Sequence, residues 1–427
     1  MRWLDRILSH HPGTLARSSL HTMGVFGIRL VTQIALLFLL ARFLGPADFG
    51  EYVAIAALAV LLGALSSLGI GFLVLVDTSK DAKSGLQTYR KALPITLVSA
   101  SFLLPLYLVI SHSVIHTAAE TQVLVMLALS ELVIMPLVMV QAKRLQGLDQ
   151  TAKGQLLLTS PLVARLLLLA PVAYLFPNEG LAVFVCIHIA TSIMALGIGI
   201  ALCGGVLIDG NRLMPPDFTT ARTSLPYAFM RLASLGPGEI DKTLAPRLLG
   251  SNEAGAYSLA ARGMAVAVLP VIALMLVIQP RILSRSTPSV INIRTLLGVL
   301  LTTTIAYGIV IGVLLSTIAP SVFLLVLGQQ FASSAEILQL LALVAPLLAL
   351  RVALGGLLVA FEMPRSRTLT EAIGTVVLLV SAILAAPALA AAGFVLAIAI
   401  SELFMVLAFS GTLILRKQLE SGSPREA

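Results

Sequence analysis

Apolar residues run through this chain in blocks of about twenty, separated by short polar turns. A helix rising 1.5 Å per residue needs about 20 apolar residues to cross a ~30 Å hydrocarbon layer. About twelve such blocks are present, over residues 22–43, 53–76, 92–111, 118–140, 155–176, 180–204, 223–246, 255–279, 295–318, 335–361, 369–388 and 391–415. The seventh is the least regular, holding Pro226, Gly236, Pro237 and Gly238 together with Glu239, Asp241 and Lys242.

One pattern occurs twice. Residues 42–52 read RFLGPADFGEY and residues 247–257 read RLLGSNEAGAY. Arg42, Leu44, Gly45, Gly50 and Tyr52 return as Arg247, Leu249, Gly250, Gly255 and Tyr257, each set between two apolar blocks. A duplicated helix–turn–helix in an apolar chain predicts two lobes with a pathway between them. The expected division is a segment 1–21, a six-helix lobe 22–204, a linker 205–222, a six-helix lobe 223–415 and a tail 416–427. Trp3, Leu4, Ile7 and Leu8 share one helical face of the first segment, which suits a helix lying on the membrane surface.

Composition agrees with the pattern. Hydrophobic residues make up 58% of the chain and charged residues 11%, against about 25% charged in soluble domains. No polar stretch is long enough for a soluble catalytic domain. The net charge of +8 does not point to nucleic acid, because its distribution follows the membrane. Twenty of the 28 Lys and Arg residues lie at the termini or in connections after even-numbered spans. By the positive-inside rule those regions face the cytoplasm, with an even number of crossings. Both termini are therefore expected to be cytoplasmic.

Eight basic residues remain, and they carry the functional signal. Arg29, Arg165, Arg231, Arg262 and Arg351 lie within spans; Arg42, Lys242 and Arg247 lie toward outer ends. By helix rise, the first five are roughly 10–15 Å from the nearest end of their spans. Each would cost up to about 2.5–3.5 kcal/mol if it faced lipid. A polar interior cavity lined by guanidinium groups is the economical expectation. Arg29, Arg231 and Arg262 have no obvious carboxylate at matching depth and are expected to bind cargo, with Lys242 and Arg351 as further candidates. Glu131 and Arg165 lie at similar depth and are candidates for an ion pair or for coupling. Asp241–Lys242 and Arg351–Glu402 are likewise open to pairing, with Asp241 and Glu402 as coupling candidates. Arg42 and Arg247 are expected to reach for the outer interface. More interior cations than carboxylates implies an anionic cargo, and guanidinium forks suit phosphate and pyrophosphate.

Catalytic and cofactor signals are missing. There is no Walker sequence, no G-x-S-x-G and no H-E-x-x-H. His112 and His116 have metal-compatible spacing but only Glu120 near them. His188 reads as a packed polar residue, and Gly69 with Gly71 as a packing or bend signal. Neither enzymatic activity nor a cofactor is expected.

The run from Ala41 to Tyr52, its second copy, the Asp241-Lys242 pair before the Leu248-Leu249-Gly250 turn, the stretch Leu325 to Gly328 with Phe331, and Gly393 together form a signature. It resembles the Wzx-type polysaccharide and O-antigen flippases of the MATE-like multidrug/oligosaccharidyl-lipid/polysaccharide exporter superfamily. That resemblance implies an all-α membrane protein of two six-helix lobes. It also implies alternating-access transfer of an undecaprenyl-pyrophosphate-linked glycan from the inner to the outer leaflet. The lipid tail would stay in the bilayer, and a glycan polymerase would be a partner. Lipid II flippases of the superfamily usually have fourteen helices, against about twelve here. A cation-coupled exporter of small drugs is the alternative, disfavoured by the buried arginines.

The expected orientation is open to a direct test. Cysteines placed at Asn178 and Ser321 will react from outside with an impermeant thiol reagent, and cysteines at Ser84 and Thr151 will not. The reverse labelling pattern would invert the topology.

Overall fold

The computed structural model describes residues 14–175, 180–204, 217–283 and 293–422. The surface helix expected around Trp3, most of the linker 205–222 and the position Asn178 fall outside the described residues. Among the described residues every element is helical.

The first element, α1 (Thr14–Ser66), holds the first predicted span and most of the second. It bends at Gly45, whose φ of 72° is in the left-handed region that glycine adopts without a Cβ penalty. Pro46 follows and offers no N–H to the preceding turn. The second span breaks again at Leu68 and Gly69 (φ 46° and 76°) before α2 (Ile70–Lys80) completes it. A short α3 (Ala82–Arg90) starts at Asp81, whose carboxylate accepts from the Ser84 amide at 2.9 Å. The third span is α4 (Ala92–Ile110). The fourth joins α5 (Thr121–Leu129) to α6 (Met135–Gly147) through a π-helical turn, Ser130–Ile134. Glu131 sits in that turn, a local widening often found at functional sites. The fifth and sixth spans are α7 (Thr151–Leu175) and α8 (Leu181–Leu202).

The second half begins with α9 (Phe218–Leu249) and α10 (Ser251–Leu283), followed by α11 (Ile293–Thr317) and the short α12 (Ala319–Leu327). The tenth span is split into α13 (Ala332–Ala342) and α14 (Ala345–Ala360). It bends by 58° where Pro346 restarts the helix. The chain ends with α15 (Pro364–Leu389) and α16 (Ala391–Gly422).

Nine helices among the described residues are long and apolar enough to cross a membrane. One of them, Gly27–Ser66, has 40 residues, about twice the length one crossing needs. The bent α13–α14 pair supplies another crossing. Helix α9 has the length, at 32 residues, but carries Arg231, Glu239, Asp241 and Lys242 in its middle. These segments correspond to the twelve predicted spans. The break expected around Gly236–Glu239 is absent: α9 runs continuously through Pro226, Pro237 and Pro246. Only the proline N–H groups are lost, and the Lys242 ammonium donates to the Gly238 carbonyl at 2.7 Å within the same stretch.

The two copies of the repeat meet each other. A Cβ added to Gly50 would lie 2.5 Å from the Gly255 nitrogen and the Ser251 carbonyl, and one on Gly255 would strike the Pro46 carbonyl. Glycine is required at both positions because backbone touches backbone. Both turns therefore lie on one face of the protein. Small buried residues, Ala41 on α1 with Ala254, Ala256 and Ala260 on α10, extend this close approach into the core. On the outside, large apolar side chains such as Phe102 (75% exposed) and Leu325 (85%) face outward, as lipid-facing helices require.

Gly255→Val will lower the thermal unfolding midpoint in detergent, by a cost on the order of 1–3 kcal/mol for overpacking. Gly24→Val, at a glycine with nothing within 4 Å, is expected to be near neutral. Equal midpoints for the two variants would show that the turn contact does not hold the halves together.

Candidate functional site

The halves touch at two levels along α9. On the turn face, beside Gly50 and Gly255, Arg42 donates to the Val326 carbonyl at 3.2 Å and Arg247 reaches His116. The two arginines lie together on this face, and each bridges to the other half. At the opposite end, a Cβ on Gly69 would lie 2.5 Å from the Ser224 carbonyl and the Ala228 amide. Phe72 stacks on Tyr227, with ring centroids 6.0 Å apart. Lys91 donates to Asp217 at 2.6 Å, and Asp217 also accepts from the Thr219 and Thr220 amides at the start of α9. The Lys91 ammonium, helped by the two threonines, holds the Asp217 carboxyl well below the usual carboxylate range.

Between these levels lies a charged layer. In the first half, His188 on α8 donates from Nε2 to the Glu131 carboxylate at 2.8 Å. In the neutral ring Nδ1 is then left to accept from the Tyr52 hydroxyl, 3.3 Å away. Arg165 on α7 donates to Thr191 at 3.1 Å and to Ser192 at 2.9 Å. Ser192 in turn accepts from Ser130, beside Glu131. The expected Glu131–Arg165 ion pair does not form. The π turn presents Glu131 to His188, and Arg165 is taken by the two hydroxyls of α8, although the opposite charges remain within electrostatic reach.

The second half answers with its own pairs. Arg262 on α10 forks onto Glu239 on α9, at 2.9 and 3.3 Å. This corrects the expectation that Arg262 lacks a carboxylate partner. Glu239 lies eleven residues before Gly250 and Arg262 twelve after it, so the two arms of one helical hairpin bring them level. That equal spacing was the sequence signal. Lys242 contacts both oxygens of Asp241 at 3.1 Å, and Asp241 also accepts from Tyr257. The pair is buried rather than exposed at the surface. Arg351 donates to Glu402 at 2.6 Å. Glu371, not singled out in the sequence, is buried and accepts from Arg367 at 2.9 Å and from Ser234 at 2.7 Å.

The two sets adjoin. Tyr52 is within electrostatic reach of Arg165 and Glu131 on one side and of Arg262 and Glu239 on the other. Arg231 is in reach of Glu131 and of Lys143, and makes no hydrogen bond to a described residue. Lys143 lies 4.7 Å over the Phe72 ring. Of the predicted site residues, Glu131, Arg165, Arg231 and Arg262 are thus brought into one layer. Arg29 is half-buried, its Nε has no hydrogen-bond partner, and no described charged group faces it. Lys242, Asp241, Arg351 and Glu402 are engaged in their own pairs. Tyr52, His188, Glu239 and Lys143 join the layer without having been assigned to it.

No family model matches the chain, and no curated protein matches its sequence. Solved structures do match its fold. The lipid II flippase MurJ in an inward closed conformation superposes with a TM-score of 0.71 at 14% identity, over 91% of this chain and 87% of that one. An inward-facing MATE family multidrug resistance transporter of the MOP superfamily gives 0.72 at 13%, over 95% and 99%. A MOP superfamily transporter from Pyrococcus furiosus, described as having a binding pocket of reverse polarity, gives 0.61 at 13%, over 95% of each. The chain has the MATE-like fold: an all-α polytopic membrane protein whose two six-helix lobes are related by the internal repeat.

Breaking the Arg351–Glu402 pair from one side is expected to destabilise the fold. Arg351→Met leaves Glu402 buried without its countercharge and is expected to cost about 3–5 kcal/mol. Adding Glu402→Gln will recover most of that loss in thermal unfolding. Simple addition of the two losses would remove the pair from the fold's supports.

Proposed function

We propose that the chain is a flippase. It carries an anionic, lipid-linked oligosaccharide, of the undecaprenyl-pyrophosphate kind, from the cytoplasmic to the periplasmic leaflet of a bacterial inner membrane by alternating access. The observation that carries this reading is the charge of the layer between the lobes. Among the described residues the layer holds Lys143, Arg165, Arg231 and Arg262 with two carboxylates, Glu131 and Glu239. Arg262 is spoken for by Glu239, and Arg165 by hydroxyls. Arg231, with Lys143 near it, is left to take an external anion, and a guanidinium fork suits a phosphate oxygen pair.

By helix rise Arg231 lies roughly 10 Å along α9 from the contacts at Ser224. In the proposed orientation this puts it in the cytoplasmic half, where a lipid-linked head group would enter. The contacts at Gly69–Ala228 and Lys91–Asp217 would form the cytoplasmic closure, and those at Gly50–Gly255 the periplasmic one. The two would open alternately. The likeness to MurJ, a lipid II flippase, supports the substrate class. The likeness to a multidrug transporter supports the alternative of a small-molecule exporter, and one feature favours it: among the described residues no Lys or Arg is hydrogen-bonded to Glu131. Export of cationic dyes from cells producing the protein would favour that alternative.

Complementation of a strain lacking its own glycan flippase tests the proposal, with protein levels measured alongside. Arg231→Ala will abolish complementation and Arg231→Lys will impair it partly, because charge is kept but the planar fork is lost. Arg42→Gln and Arg247→Gln, on the turn face, will be milder. Full activity of an Arg29, Arg231 and Arg262 triple alanine variant would overturn the cationic layer as the substrate site.

A further inference from the structure

The buried acids of the spans are not treated alike. Glu239, Asp241, Glu371 and Glu402 are each hydrogen-bonded to an arginine or lysine, at 2.6–3.1 Å. Glu131 is different. Its direct partner among the described residues is an imidazole, His188, the side chain whose ordinary titration lies nearest neutrality. The pair sits in the π turn of the fourth span and the middle of α8, almost wholly withdrawn from solvent.

The charges around the pair connect it to the anion site. Tyr52 approaches His188 from α1, and Tyr107 faces Glu131 from α4. Arg165 faces both from α7, and Arg231 faces Glu131 from α9. The Arg262–Glu239 pair of the second half lies beyond Tyr52. Arg231 is thus a meeting point: the guanidinium proposed to take the external anion is, after Arg165, the second of the two that balance Glu131.

Resting on the flippase reading, we infer that Glu131 and His188 form a proton site positively linked to anion binding at Arg231, so that proton and anion occupy the layer together. An anion on Arg231 puts a second negative charge beside Glu131 and uses up the field that balanced it. Like charges at this depth raise the proton affinity of the pair. One proton then enters from a solvent hydronium ion, whose O–H bond breaks to leave water, and it forms an O–H on Glu131 or a second N–H on His188. Linkage is reciprocal: protonation of the pair frees Arg231 for the anion and strengthens its binding by the same factor. Binding therefore tightens as pH falls. In a site where proton and cargo competed for one carboxylate, the dependence would have the opposite sign.

The test needs an anion that does not itself titrate. Methanedisulfonate, a pyrophosphate-shaped dianion fully charged at all working pH, is titrated into the detergent-purified full chain between pH 6 and 8. For the wild type, Kd is expected to fall with falling pH, by at most about tenfold per pH unit for one linked proton. Glu131→Gln, which keeps a hydrogen-bonding group toward His188, will bind with little pH dependence. Arg231→Ala will not bind. A wild-type Kd that is flat, or that tightens as pH rises, overturns the linkage while leaving the anion site. So does a pH slope that survives Glu131→Gln. No binding to the wild type at any pH, or unchanged binding to Arg231→Ala, overturns the anion site and the linkage with it.

Discussion

A guanidinium halfway across a bilayer must find a countercharge, a hydroxyl or water, because hydrocarbon offers none. Much of this structure follows from how that demand is met. Arg351 and Arg262 take carboxylates, and Arg165 takes the hydroxyls of Thr191 and Ser192. Each solution ties one helix to another: α14 to α16, α9 to α10, α7 to α8. The lobes are held by such polar ties as well as by packing, since apolar side chains gain little from leaving lipid for one another. Arg29 and Arg231 stand out against this background because no described group bonds to either, and of the two only Arg231 has a charged neighbour, Glu131.

The duplication adds a second layer of meaning. In both turns the repeated glycine provides a surface on which one lobe's backbone meets the other's, at Gly50 and Gly255. The repeated tyrosine begins a polar chain in each lobe, but the chains end differently. Tyr257 donates directly to Asp241, which Lys242 neutralises. Tyr52 reaches Glu131 only through His188. The same local device closes a structural ion pair in one lobe and opens onto a titratable pair in the other. Symmetric ancestry supplies the frame, and the asymmetry supplies the chemistry.

The membrane class, a count of about twelve spans, the repeat and the presence of arginines within the spans were all legible in the sequence. They depend on properties read along the chain: the length of apolar runs, the spacing of identical residues, and helix rise. Two of the three carboxylate pairings considered were legible too. Asp241 and Lys242 are neighbours, and Arg351 and Glu402 lie at comparable depth in one lobe. The Glu239–Arg262 pair was legible in principle, because a hairpin with equal arms sets its two residues level. The irregularity expected in α9 was misread. Glycine and proline weaken a helix but do not by themselves break one that packing and a carbonyl-bound lysine hold in place.

The rest needed the tertiary structure. Which way a buried side chain turns about its helix depends on which neighbour arrives there, and sequence depth says nothing of azimuth. Glu131 and Arg165 matched in depth, yet the π turn at Ser130–Ile134 rotated the acid toward α8 and His188. Lys143 read as a loop charge, but the packing of α6 brings it over Phe72 and within reach of Arg231. By itself the sequence determined that basic and acidic residues lie inside the apolar spans and that two similar halves carry them. Only the packing of the lobes decided which acid or hydroxyl each cation meets, because pairing is settled by orientation across helices rather than by position along one.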